Sequence, residues 1–197
     1  MIQEQKTTRE ASLNVMKFFR LFYLRLTTQG ARTTFLWLAN VLNRYLIDHP
    51  IRRLCQVTPQ LFVGAQFGER GWRVLKRWGI SAVVNLRKEF DDIDLDIDLD
   101  RYHYIPTEDD NTPTLDELRE GVEFIAAEIK RGGKVYIHCG SGVGRAPTMA
   151  AAYFVSRGSS VQEAWETIRR IRPFIRPTRV QREQLERLAV DYKPKPS

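Results

Sequence analysis

The sequence is poor in cysteine, in long apolar runs and, over its first quarter, in acidic residues. Cys55 and Cys139 are the two cysteines among 197 residues, which excludes a disulfide-framed scaffold and a cysteine-rich zinc module and fits a reducing compartment. No run reaches the ~20 apolar residues of a membrane-spanning helix, and the best stretch, residues 35–47, is interrupted by Arg44. We therefore expect a cytoplasmic protein, with association to a membrane surface left open.

The net charge of +7 is unevenly distributed. Residues 1–53 carry nine Lys and Arg against three Asp and Glu, whereas residues 54–197 carry 22 against 21. Basic proteins that bind nucleic acid present a recognisable motif on a basic face, and no such motif occurs here, so no nucleic-acid partner is expected. An anionic membrane surface suits a basic N-terminal segment better.

Two amphipathic helices are predicted in the N-terminal segment. The first covers residues 13–26 and ends near Gly30, and the second covers residues 33–47 and ends before Pro50. Amphipathic helices usually pack their apolar faces on a protein core, and this is the commoner interpretation. The alternative is a peripheral membrane contact through residues 12–48.

The rest of the chain alternates predicted strands with predicted helices. This order is typical of an α/β fold with a central, mainly parallel sheet flanked by helices, here preceded by the N-terminal helical segment. The predicted domains are residues 1–53, a basic helical segment; residues 54–192, a catalytic domain; and residues 193–197, a flexible tail. The predicted strands are residues 61–63, 81–86, 102–105 and 135–137, and the predicted helices are residues 69–78, 114–131, 145–156, 161–170 and 179–190.

An acidic stretch, residues 89–100, alternates Asp with Ile or Leu. A calcium-binding loop would need a glycine turn and a closing glutamate at fixed positions, and neither is present. We therefore predict a solvated loop or sheet edge.

The most informative stretch is HCGSGVGRAP, residues 138–147, between a predicted buried strand and a predicted helix. Its three glycines allow successive backbone N–H groups to turn inward and form an anion-binding nest. The helix that follows adds its positive N-terminal end, and Arg145 can hold two phosphate oxygens at once. This positive field favours the thiolate of Cys139, placed for in-line attack on phosphorus.

The Cys-x5-Arg pattern of this stretch resembles the signature of the protein tyrosine phosphatase superfamily, and the full string is similar to its dual-specificity branch. Residues 61–92 resemble the first half of such a domain, and residues 168–185 resemble its C-terminal helices. The resemblance covers roughly residues 55–190. It implies a cysteine-phosphatase-like fold and hydrolysis of phosphate monoesters through a phosphocysteine intermediate, with no metal or cofactor.

The resemblance also implies roles for individual residues. Cys139 would be the nucleophile, and Asp109, on the loop of residues 105–113, the general acid, with Asp110 as the runner-up. His138 would support the phosphate-binding loop through hydrogen bonds. The phosphate would be bound by Arg145 and by the backbone of Gly140, Ser141, Gly142, Val143 and Gly144.

Three positions leave questions open. Ala146 stands where many family members have Ser or Thr, whose hydroxyl helps the cysteine to leave, so the second step is expected to be slower or to use another group. Gln181 is either a water-positioning residue or, more commonly for such a position, an ordinary surface glutamine. Cys55 is most simply a small buried residue, and the alternative that the resemblance allows is a regulatory disulfide with Cys139.

The resemblance leaves several substrate classes open. A phosphoprotein, as for a dual-specificity or tyrosine phosphatase, is the first. The phosphatidylglycerophosphate-type phospholipid phosphatases of this branch have a loop similar to PTEDDNTPTLDEL, residues 106–118, which makes a phospholipid head group the second. A phosphoglucan is a weaker third. A phosphate-binding adaptor without turnover is the hypothesis from another class.

Overall fold

The computed structural model describes the backbone of residues 2–95 and 101–192, and the side chains of residues 16, 18–93 and 101–192. The chain divides into two compact units, Met1–Ala39 and Asn40–Ser197. The predicted boundary after residue 53 stays a prediction, and the predicted tail, residues 193–197, lies outside the described residues. No helix in the described part of the chain is both long enough and apolar enough to span a membrane.

The first unit contains most of helix α1, Ile2–Leu42, which is broken at Gly30. Gly30 has φ 80° and ψ 165°, a conformation outside the helical region, and it lies where the first predicted helix ends. Within this unit the ring of Phe18 stacks on Trp37 at a centroid distance of 5.7 Å. The guanidinium of Arg25 lies 4.7 Å from the centroid of the Trp37 ring, so one aromatic side chain joins the segments on either side of the break.

The second unit contains a four-stranded sheet in the order β1-β4-β2-β3. All three strand pairs are parallel, as predicted for an α/β fold. The strands are β1 (Leu61–Ala65), β2 (Ala82–Arg87), β3 (Tyr102–Thr107) and β4 (Val135–Cys139), and the helices are α2 (Glu69–Arg77), α3 (Leu115–Lys130), α4 (Arg145–Ser156), α5 (Val161–Ile171) and α6 (Arg179–Asp191).

Every residue of β1 and β4 is buried, as expected for parallel strands covered on both faces. Alternate side chains of the strands enter two apolar clusters. Val63 and Ile137 belong to the larger cluster with residues of α3 to α6, and Phe62 and Tyr136 belong to the smaller one with Trp72 of α2. Helices α3, α5 and α6 each begin with a reciprocal capping box, at Thr114, Ser160 and Thr178.

The prediction for the acidic stretch is wrong at Asp92. Residues Asp92–Leu95 form a short 3-10 helix, and the Asp92 side chain is fully buried. A buried carboxylate needs hydrogen-bonding partners, and the fold supplies them through Gln66 and His138. Residues 96–100 of the stretch lie outside the described residues.

Candidate active site

The glycine-rich loop, residues 140–144, connects the central strand β4 to helix α4. Cys139 is the last residue of β4, and Arg145 is the first residue of α4. Because the carboxyl ends of parallel strands lie at the same edge of a sheet, the segments after β2 and β3 reach the same place. They bring Glu89 and Asp109 to Arg145.

The guanidinium of Arg145 is surrounded by hydrogen-bond acceptors. Its Nη1 donates to the carbonyl of Thr107 at 2.6 Å and to the carboxylate of Glu89 at 3.0 Å, and only 3% of the side chain is exposed. Its Nη2 lies 2.8 Å from Oδ1 of Asp109. Its Nε is buried and has no hydrogen-bond partner among the described residues, so one donor on the Nε–Nη2 edge is available to an anion.

Burial acts to lower the pKa of Arg145, but the negative charges of Cys139, Glu89 and Asp109 outweigh it. The pKa is therefore raised above its ordinary value, and the side chain stays a cation. A buried guanidinium with an unpaired Nε directly after the glycine-rich loop has the chemistry to bind a tetrahedral oxyanion.

The loop of residues 105–113 places the two aspartates differently. The carboxylate of Asp109 contacts Arg145, while its side chain remains 78% exposed. Asp110 adopts a left-handed conformation with φ 59°, and its backbone carbonyl accepts a hydrogen bond from Oγ1 of Thr178 at 3.0 Å. The structure thus brings Asp109 to the arginine and uses the backbone of Asp110 to tie the loop to α6.

His138 precedes the cysteine and is fully buried. Its Nε2 lies 2.5 Å from Oδ2 of Asp92, and Oδ1 of Asp92 accepts a hydrogen bond from Nε2 of Gln66 at 2.9 Å. The backbone N–H of Gln66 in turn donates to the carbonyl of Cys139 at 2.9 Å. The described hydrogen bond of the His138 ring is therefore to Asp92 and not to the glycine-rich loop, while the ring packs against Trp72 and Tyr136. A closed network of hydrogen bonds runs from the imidazole back to the cysteine.

Sequence reasoning missed Asp92 because it lies in a run of alternating aspartates, which usually marks a solvated loop. Its partner is 46 residues away. One weak signal was available: His138 was predicted at the end of a buried strand, and a buried histidine needs a polar partner.

A second buried arginine, Arg172, forms a hydrogen bond with the glycine-rich loop. The side chain of Arg172 is completely covered, and its Nε donates to the carbonyl of Gly142 at 3.1 Å. Gly142 has φ 67°, and a β-carbon there would lie 2.3 Å from the carbonyl oxygen of Gly64. Only glycine satisfies both the conformation and the close approach, so the loop shape depends on this residue.

Gln181 is buried, with 1% of the residue exposed, so its interpretation as a surface glutamine is wrong. Its Nε2 donates to the carbonyl of Asn111 at 2.7 Å, and its Oε1 accepts from the N–H of Thr178 at 2.9 Å. A β-carbon on Gly144 would lie 2.9 Å from that oxygen. Gln181 thus links the N-terminus of α6 to the loop that carries Asp109 and lies against the glycine-rich loop.

Ala146 and Cys55, the other two positions whose roles the sequence leaves open, are both buried. Ala146 is fully buried in the larger apolar cluster, and the hydroxyl of Thr148 donates to the carbonyl of Gly144 at 2.9 Å. Cys55 and Cys139 are both buried and not joined in a disulfide. Burial raises the pKa of the Cys55 thiol against the opposing effect of Arg172, so Cys55 has the character of an inert structural thiol.

Comparison with known proteins agrees with the family resemblance of the sequence. The family model for the dual specificity phosphatase catalytic domain matches residues 61–189. Rat dual specificity protein phosphatase 5 is 29% identical over 124 residues, which cover 62% of this chain and 32% of the relative. Mouse dual specificity protein phosphatase 14 is 26% identical over 139 residues, 68% of each chain. The chain thus spans about a third of the length of the curated relatives that head the comparison.

Solved structures agree with this. The crystal structure of PTPMT1 superimposes with a TM-score of 0.63 at 26% identity, covering 70% of this chain and 94% of that one. The active form of Tk-PTP gives a TM-score of 0.56 at 32% identity, covering 64% and 88%. Since the matched region contains the sheet, the glycine-rich loop and both site arginines, the chain belongs to the dual specificity phosphatase catalytic-domain family.

Proposed function

We propose that this protein is a cysteine-dependent phosphatase that hydrolyses phosphate monoesters through a phosphocysteine intermediate. The observation that carries the proposal is the Arg145 guanidinium, covered, cationic and with an unpaired Nε, one loop away from Cys139. Family membership supports the same reaction.

In the proposed first step, the Cys139 thiolate attacks phosphorus in line with the leaving oxygen, so that an S–P bond forms as the O–P bond breaks. Arg145 and the backbone N–H groups of residues 140–145 bind the three equatorial oxygens, on which the transition state carries its charge. In the second step, water attacks phosphorus and the S–P bond breaks. Inorganic phosphate is released, and the Cys139 thiolate is regenerated.

Asp109 is the proposed proton carrier for both steps. Its carboxylate forms an ion pair with Nη2 of Arg145, and its side chain is otherwise exposed. A phosphate that binds to Nε and Nη2 therefore displaces the carboxylate toward the leaving oxygen. There the protonated acid, which has taken its proton from solvent, donates that proton to the leaving oxygen, and the resulting carboxylate afterwards removes a proton from the attacking water. The hydrogen bonds from Thr178 and Gln181 to the same loop hold it at the rim of the site.

A phosphoprotein is the substrate class that we propose first. The curated relatives are named dual specificity protein phosphatases, and the match to their catalytic domain supports the same class here. The second candidate is a phospholipid head group, for which the similarity to PTPMT1 is the supporting observation; one PTPMT1 structure is a complex with PI(5)P. A phosphoglucan and a non-catalytic adaptor remain less favoured.

The deciding experiment compares kcat/KM for phosphate release from a phosphotyrosyl peptide and from phosphatidylglycerophosphate in mixed micelles. A large advantage for the peptide supports the protein phosphatase, and a large advantage for the lipid supports the head-group phosphatase. Cys139→Ser is the control, and phosphate release that survives this change contradicts the mechanism. A wild type that binds both ligands and releases no phosphate supports the adaptor.

We assign the reaction to the predicted catalytic domain, residues 54–192. Residues 12–48 lie outside that domain.

A further inference from the structure

Large apolar side chains remain exposed on the N-terminal unit. Met16, Phe19, Tyr23 and Leu26 of α1 are 62%, 64%, 68% and 38% exposed. Residues at this spacing lie along one face of a helix, over a length of ~15 Å. We call this face the outer stripe.

The outer stripe is not the face with which α1 packs inside its own unit. That face carries Phe18, which stacks on Trp37, and Arg25, which lies over the same ring and is 2% exposed. The sequence therefore gives this segment two apolar faces, one used for packing within the unit and one directed outward. An outward face of this size marks an interaction site.

The charge near the outer stripe indicates what kind of partner the stripe contacts. Between Glu10 and Asp48 the sequence contains five Lys and Arg and no acidic residue. Arg20, beside the stripe, and Arg32, after the break at Gly30, are both exposed, and so is Phe35, at 61%. A second copy of the chain would bring the same positive charge to the contact, whereas an anionic phospholipid surface is complementary to it.

We propose that the outer stripe docks this protein on bilayers that contain anionic phospholipid. Aromatic and aliphatic side chains enter the boundary between head groups and acyl chains, and the flanking arginines contact lipid phosphates. The helix lies on the membrane and does not cross it, in keeping with the absence of a spanning helix in the described part of the chain. The proposal goes beyond the phosphatase activity and does not depend on it.

The test is sedimentation of the full chain with vesicles, without any substrate. We expect binding to mixed vesicles of phosphatidylcholine and phosphatidylglycerol and little binding to phosphatidylcholine alone. Arg20→Gln and Arg32→Gln should each weaken binding about fivefold. Phe19→Asp combined with Tyr23→Asp should weaken it tenfold or more, because two inserted apolar side chains become charged.

Val190→Asp is the matched control. Val190 lies on α6 and is 64% exposed, so the change introduces an aspartate at an apolar position as exposed as Phe19 and should leave binding intact. Circular dichroism and thermal unfolding show whether each variant is folded, and Phe19→Ser with Tyr23→Ser replaces the aspartate pair if that pair loses helix.

Three results would overturn the proposal. The first is equal binding to both vesicle types, and the second is unchanged binding by a folded stripe variant. The third is a protein that does not bind vesicles but forms a dimer in light scattering, which the stripe substitutions dissociate. That outcome would assign the stripe to contact with a second copy of the chain.

Discussion

Oδ2 of Asp92 lies 2.5 Å from Nε2 of His138, and neither side chain is exposed to solvent. Gln66 binds the other oxygen of the same carboxylate through its side chain and the carbonyl of Cys139 through its backbone. Asp92 therefore fixes the orientation of His138, the residue that precedes Cys139. It acts through His138 and Gln66 and is a positioning residue.

Replacing this carboxylate should reduce turnover more than substrate binding. Asp92→Asn keeps the shape but weakens the hydrogen bond to His138, and one lost interaction of about 1.4 kcal/mol corresponds to a tenfold lower kcat. KM should change little, because Arg145 is untouched. Asp91→Asn, at the neighbouring residue whose carboxylate accepts from the Tyr102 hydroxyl, is the control, and an equal loss of kcat there would argue against a specific role for Asp92.

Two glycines with positive φ allow a matched test of the loop geometry. A β-carbon at Gly142 would lie 2.3 Å from the carbonyl oxygen of Gly64, whereas one at Gly158 would meet nothing within 4 Å, and both residues have positive φ. Gly158→Ala should cost only the backbone strain, about 1–2 kcal/mol, with kcat unchanged. Gly142→Ala should cost more and also abolish most activity. Urea unfolding and steady-state kinetics measure both, and equal effects at the two positions would contradict the close approach.

The two aspartates of the loop should differ in catalysis. Asp109→Asn should lower kcat by about 10²–10⁴-fold for an alkyl phosphate, whose leaving oxygen needs a proton. The loss should shrink for an aryl phosphate with an acidic phenol, because that oxygen leaves without protonation. Asp110→Asn should stay within a few fold of the wild type, since its backbone carbonyl makes the contact with Thr178. A larger loss at Asp110 would reverse the assignment.

The contact between Glu89 and Arg145 should appear as acid-dependent stability. Partial burial acts to raise the pKa of Glu89, but its hydrogen bonds with Arg145, its own backbone and Arg87 outweigh this, and the pKa is lowered. The folded state then binds fewer protons than the unfolded state, so the contact stabilises above the ordinary glutamate pKa of about 4.3 and the effect is lost as pH falls through the lowered value.

Glu89→Gln should therefore be less stable than the wild type at neutral pH, and the two should converge in acid. The difference will be small, because the carboxylate is 40% exposed and solvent screens the pair. Thermal unfolding across the pH range measures it, and curves that separate further as the pH falls would show that Glu89 does not stabilise as the charged form.

The sequence predicts the second unit well where the signal is local. The buried strand before Cys139, the glycines after it and the helix from Arg145 are neighbours in the chain, so their geometry follows from propensity and from the spacing of the motif. The capping box at Thr114 and the break at Gly30 are local in the same sense.

Long-range contacts explain what the sequence does not predict. Asp92 has the sequence context of a solvated aspartate, and its burial depends on His138, 46 positions later. Gln181 occupies a helical position typical of the surface, and it is buried because the loop of Asn111, 70 positions earlier, covers it. The outer stripe is the third case: an apolar helical face predicts contact with something, but not with what.

The order β1-β4-β2-β3 places the two proposed reacting groups after strands of different position, one central and one at the edge of the sheet. Cys139 ends a strand that has neighbours on both sides, whereas Asp109 follows β3, which lies at the edge of the sheet. A change in the length of the edge loop would move Asp109, the proposed proton donor, and reshape the entrance, while Cys139, the proposed nucleophile, would stay in place. This architecture therefore allows evolution to exchange substrates by remodelling a peripheral segment, without rebuilding the chemistry at the centre.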